Sequence, residues 1–125
     1  MNKEPHKNLL AWQKGMDLVM DIYKITDTFP KTEVYSLMSQ MKRCAISIVS
    51  NISEGSAYKS NLKYSYFLSI SLGSIKELDT QLEIAFRLKY LDEIQFKKIQ
   101  NDLSEVGGLI FGLKRSIDLK SNKPK

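Results

Sequence analysis

Between residues 99 and 117 the apolar side chains fall at Ile99, Leu103, Val106, Ile110, Leu113 and Ile117, in steps that alternate four and three. That spacing keeps to one side of an α-helix and cannot line one face of a strand, whose faces repeat every second residue. It is the seam of a helix packed among other helices. The feature recurs upstream. Trp12, Met16, Val19 and Tyr23 form one stripe, with Leu18, Ile22, Ile25 and Phe29 in a second beside it. Leu37, Met41, Ala45, Ile48 and Ile52 line another segment, and Tyr64, Leu68, Ser71, Ile75, Leu78, Leu82 and Ala85 a third. No run alternates apolar and polar residues as a half-buried strand does. The pattern predicts an all-α fold, an up-down-up-down antiparallel four-helix bundle with short links.

Punctuation places the ends. Pro30 is expected to stop the first helix, because the residue before a proline avoids the helical region. Thr32 is the expected N-cap of the second, and Gly55 its left-handed C-cap. Residues 55–60 read as a polar connection and Lys89-Tyr90-Leu91 as a turn. Asp92 followed by Gln95 is a capping box for the fourth helix. The bundle domain is expected over 9–118, between a flexible N-terminus (1–8) and a basic flexible tail (119–125).

Composition narrows the function classes. A chain of 125 residues, 42% hydrophobic and 26% charged, is one globular domain. One cysteine, Cys44, rules out an intrachain disulfide and suits a reducing compartment. One histidine, His6, rules out any site needing two in a chain. Neither a signal peptide nor a membrane-length apolar run is visible, so a cytoplasmic location without a membrane partner is expected. The formal net charge is +5. The surplus lies in two places: Lys31, Lys42, Arg43, Lys59 and Lys63 outnumber Glu33 and Glu54, and the tail carries Lys120, Lys123 and Lys125 with no acid. This balance is compatible with nucleic acid.

Some faces are too wide for a lone bundle. The two stripes of the first helix together cover about half its circumference at ~100° per residue. On the fourth helix Ser104, Gly108 and Gly112 lie opposite the seam with Phe111 beside them. A strip of small residues lets another helix approach closely, and glycine inside a helix costs ~1 kcal/mol. These four residues are the expected oligomer interface; the alternative is that the glycines are tolerated on a solvated face. A polar line flanks the second helix's apolar face at Gln40, Arg43, Ser47, Asn51 and Glu54, and the third helix has its own at Ser74, Glu77 and Gln81. A hairpin turning at 57–58 brings Gln40 and Arg43 near Ser74 and Glu77, and pairs Arg43 with Glu77. Such lines serve either as a network fixing register or a subunit contact, the favoured reading, or as a polar ligand site.

The run from Ser39 to Gly55, with Gln40, Lys42-Arg43, Ser47-Ile48 and Asn51-Ile52-Ser53-Glu54-Gly55, resembles the intervening-sequence protein family of bacterial four-helix bundles, named for members encoded in insertions of large-subunit ribosomal RNA genes. Phe67-Leu68 followed by Gly73-Ser74-Ile75-Lys76-Glu77-Leu78-Asp79-Thr80-Gln81-Leu82 matches a second block. Trp12-Gln13-Lys14, Asp17-Leu18-Val19, Ile22-Tyr23 and Phe29-Pro30 match a third. The resemblance spans about residues 9–90, and the fourth helix by pattern. The chain departs from the family where Val49 stands for a common proline and Tyr58 for a loop arginine, a position Lys59 can serve. The resemblance implies a ring-shaped homo-oligomer, most simply a homopentamer. A distant relative of similar architecture, the accessory protein of diversity-generating retroelements, is a basic pentamer that works with nucleic acid.

The function these readings favour is a non-enzymatic homo-oligomer that binds RNA or DNA; the alternative is an adaptor for another protein. The phosphate-binding candidates are Lys42, Arg43, Lys59, Lys63, Lys120, Lys123 and Lys125, with Tyr58 and Tyr64 as rings on which bases stack. Lys42 and Arg43 point ~100° apart on their helix. An enzyme is not expected. The chain lacks the Glu-x-x-His pair of a di-iron bundle, and Cys44 has no histidine placed to activate it. No catalytic residue, metal or cofactor is therefore expected.

Overall fold

The computed structural model describes residues 5–121, and within them every regular element is helical. Four helices form the domain: α1 (Leu10–Thr26), α2 (Leu37–Ser56), α3 (Asn61–Arg87) and α4 (Glu93–Ser121). Contacts join α1 to α2, α2 to α3, α3 to α4 and α4 back to α1, the closed circuit of a four-helix bundle. Cross-helix pairs show that neighbours run antiparallel. On α2 and α3, Ser47 meets Ser74 and Ile48 meets Ser71. On α3 and α4, Ser65 meets Asp118, and a Cβ on Gly107 would touch Ile75.

The core is the set of stripes read from the sequence. Leu18, Ile22, Met41, Ile48, Ile52, Leu68, Leu78, Leu82, Leu103, Val106 and Ile110 are fully buried. Each large aliphatic removed from water contributes roughly 1.5–3 kcal/mol. Tyr23 lies at the edge of its stripe and stays exposed.

The Asp92–Gln95 capping box forms as read: the Gln95 N–H donates to Asp92 Oδ1 at 2.7 Å, and the Asp92 N–H to Gln95 Oε1 at 3.1 Å. The turn before it is a Schellman motif. Lys89 takes φ 65°, the Tyr90 N–H donates to the Ala85 carbonyl and the Lys89 N–H to that of Phe86.

Other ends differ from expectation. α1 stops at Thr26, four residues before Pro30. The Thr26 hydroxyl donates to the Ile22 carbonyl at 2.7 Å. The chain then tightens into turns that bury Phe29 against Tyr90, with ring centroids 5.2 Å apart. Thr32 does not cap α2, because Lys31–Glu33 forms a separate 3₁₀ turn and the helix starts at Leu37. That link is held instead by Glu33, which accepts hydrogen bonds from the Tyr90 hydroxyl at 2.6 Å and from Ser36. Gly55 is not a left-handed cap. It is buried inside α2, where a Cβ would lie 2.8 Å from Phe67 Cβ and 3.1 Å from Tyr64 Cδ1. Its lack of a side chain sets how closely α2 and α3 approach. Pro5–Asn8 forms a 3₁₀ turn against α1, with Gln13 Nε2 donating to the Lys7 carbonyl and His6 edge-on to Trp12. At the other terminus α4 runs past 118 to Ser121.

Candidate functional site

Alternating helix direction decides which residues meet at each end of the bundle. The start of α1, the α2–α3 link, the start of α3 and the end of α4 all lie at the same end, as the Ser65–Asp118 contact and the packing of Gly15 against Val49 require. Lys59, Lys63 and Lys120 therefore gather there, with Lys7, Lys114 and Arg115 beside them. Among the described residues Glu54 and Asp118 are the acids of this end, and Asp118 is already engaged. It accepts hydrogen bonds from Lys114 and Ser65, which hold its carboxyl below the ordinary aspartate range. Lys59, Arg115 and Lys120 are exposed and enter no ion pair among the described residues. Lys123 and Lys125 lie outside the described residues.

Aromatic side chains share this end. Tyr58 stacks on Phe67 with centroids 5.4 Å apart and planes 9° apart, and the Lys63 ammonium sits 5.0 Å from the Tyr58 ring centre. Tyr66 is exposed and meets Phe67 edge-on. Tyr64 does not serve as a free ring. It is half-buried against the core, and burial raises its hydroxyl pKa.

Lys42 and Arg43 are not part of this cluster. They stand on α2 roughly 20 Å up the helix from the link, at 1.5 Å per residue. Lys42 leans over Tyr23 at 4.8 Å on the α1 side. Arg43 lines an open groove of about 790 Å³ between α2 and α3, with Gln40, Cys44, Ser47, Ser74, Glu77, Thr80, Gln81 and Ile84.

That groove contains most of the expected polar network, one turn out of the expected register. Ser47 and Ser74 hydroxyls meet at 2.9 Å, and Asn51 Nδ2 donates to the Ser47 carbonyl at 2.8 Å. The Cys44 thiol reaches the Ser74 carbonyl at 3.0 Å and Glu77 Oε2 at 3.4 Å. Burial, reinforced by Glu77, pushes the thiol up to about 12. Cys44 thus faces Glu77, and no ion pair joins Arg43 to Glu77. The expected pairing fails because Cys44, on the face of α2 turned towards α3, takes the place opposite Glu77, while Arg43 stands ~100° around the helix. Gln81 is buried, and its Oε1 has no hydrogen-bond partner. Glu54 stands exposed outside the groove lining.

Ser104, Gly108, Phe111 and Gly112 lie together on the outer face of α4. A Cβ on Gly108 or Gly112 would meet nothing within 4 Å, and Phe111 is largely exposed. Gly107, by contrast, faces α3. Among the described residues no group of three or more His, Cys, Asp and Glu side chains is placed to hold a metal ion. No described helix is long and apolar enough to cross a membrane.

Lys7, Lys114, Arg115, Leu62 and Tyr66 were missed in the sequence. The signal that finds them is topological: in an up-down-up-down bundle the start of α1, the start of α3 and the end of α4 must lie together.

A family model described as 23S rRNA-intervening sequence protein matches residues 7–112. Among solved structures, the chain is similar in fold to a protein of unknown function from the S23 ribosomal protein family of Bacteroides thetaiotaomicron. The TM-score is 0.76 at 24% identity, over 84% of this chain and 98% of that one. No curated protein matches.

Proposed function

This chain belongs to the 23S rRNA-intervening sequence protein family, and on that premise we propose that it is a non-enzymatic, cytoplasmic homo-oligomer that binds RNA or DNA through the basic end of its bundle. The observation that carries the reading is the convergence of Lys59, Lys63, Arg115 and Lys120 from separate segments onto one end, where Asp118 is already engaged. Each ammonium or guanidinium that meets a phosphate releases condensed counterions, so affinity falls with salt. Ring assembly multiplies the effect: five copies of a +5 chain carry about +25 on one particle. The Gly108 and Gly112 face and exposed Phe111 are the proposed subunit contact.

The test is fluorescence anisotropy of labelled RNA and DNA oligonucleotides over a salt series, beside light scattering on an eluting column. We expect a particle near five times 14.4 kDa. Lys59→Ala with Lys63→Ala and Lys120→Ala should flatten the salt slope by about two units, at ~0.7 per phosphate contact on a single strand. Lys42→Ala with Arg43→Ala should change it less. A clean particle that shifts neither nucleic acid at low salt refutes the binding and favours the adaptor reading.

A further inference from the structure

The basic end carries a second kind of surface that phosphate contacts do not use. Leu62 and Tyr66, one turn apart on the outer face of α3, are 79% and 63% exposed. With Lys63, Ser65 and Ser69 they line an open, mainly apolar cleft of about 430 Å³. The neighbouring rings are already engaged: Tyr58 and Phe67 cover one another, and Lys63 occupies Tyr58. Tyr66 touches Phe67 only at an edge, with planes 76° apart, which leaves its ring open to a flat partner. The acid beside it, Asp118, is already engaged by Ser65 and Lys114, and the stretch of chain that forms the cleft is basic. From Gly55 to Lys76 the chain contains Lys59, Lys63 and Lys76 and no acid, and the first turn of α3 has no carboxylate to offset its N-terminal dipole.

Resting on the nucleic-acid reading above, we propose that this cleft takes unpaired nucleobases, so that the ligand class is single-stranded rather than duplex nucleic acid. A base stacks on Tyr66 and packs against Leu62 while its phosphates run towards Lys59 and Lys63. The faces of paired bases are covered inside a duplex, which therefore offers this end only its phosphates. A single strand offers both phosphates and base faces. The lysines around the cleft favour this polyanion over an apolar protein segment, which gains nothing from them.

The test uses the full chain and two probes, a labelled 20-nucleotide single strand and the same sequence as a 20-base-pair duplex, each titrated at matched salt. The single strand should bind more tightly. Tyr66→Ala should weaken the single strand about tenfold, the scale of one lost stacking contact. It should leave duplex affinity and the salt slope unchanged, because no charge is removed. Tyr66→Phe should retain single-strand binding. A strand carrying 5-iodouridine should crosslink to the α3 peptide that contains Tyr66. Equal affinity for the two probes, or a crosslink mapped elsewhere, overturns the assignment while leaving phosphate binding intact. A Tyr66→Ala chain of altered particle mass also overturns it and makes the cleft a subunit contact. If neither probe binds at low salt, the nucleic-acid reading falls as a whole.

Discussion

Replacing Gly55 with alanine adds one methyl group to a close crossing of α2 and α3. In an open helix this exchange stabilises by roughly 0.5–1 kcal/mol, because alanine loses less backbone freedom on folding. At Gly55 the new Cβ would lie 2.8 Å from Phe67 Cβ, and 3.3 Å from the Tyr64 carbonyl oxygen. Neither atom is the far end of a flexible side chain, so α2 and α3 must part. Overpacking of this kind costs about 1–3 kcal/mol. Gly73 is the matched control on the partner helix, where a Cβ would meet nothing within 4 Å. We expect Gly73→Ala to be stabilised and Gly55→Ala to lie about 1–3 kcal/mol below it. Urea unfolding followed by far-UV circular dichroism, at one fixed protomer concentration, reads the difference from the midpoints, provided the slopes agree. If Gly55→Ala gains as much as Gly73→Ala, close packing is not what the glycine serves.

Further outcomes follow from other sites. Asp92→Ala should cost about 0.5–2 kcal/mol through loss of the α4 cap, visible as a lower urea midpoint, with Gln95→Ala losing less. Hydrogen bonds from Ser36 and Tyr90 hold Glu33 below its ordinary value of 4.5. The stability it lends is present above that value and is lost as pH falls through the depressed one. Ser36→Ala with Tyr90→Phe should therefore flatten the acid limb of a stability-against-pH curve, and an unchanged limb would refute the contact. With its thiol pushed up to about 12, buried Cys44 should react with a disulfide reagent at pH 8 only as fast as the chain opens. Fast stoichiometric labelling of the native protein would contradict its burial.

Periodicity made the helices legible because burial selects it directly. The α4 seam from Ile99 to Ile117 and the Asp92–Gln95 box both depend only on neighbours along the chain. Gly55 was misread because a glycine near a helix end looks alike whether it turns the chain or admits another helix. Only the facing residues, Tyr64 and Phe67, distinguish the two. Adjacent residues on α2 point ~100° apart, so Cys44 faces Glu77 and Arg43 does not. At the candidate site, Lys59, Lys63 and Lys120 were visible as charges, but their assembly at one end was not. Lys42 and Arg43 looked like their companions because sequence distance hides about 20 Å of helix.

The seam between α1 and α4 joins the two helices farthest apart in the chain, and charge lines it. Lys14 pairs with Glu105, and Lys98 with Asp21 and Asp102. Among the four α-helices every other contact joins neighbours in sequence, so closing this seam is the longest loop that folding must complete between helices. Pairs exposed to solvent add little once made. The seam therefore zips last and frays first: amide exchange should run fastest along the α1 and α4 backbones that border it, while the α2–α3 hairpin keeps its protons longest.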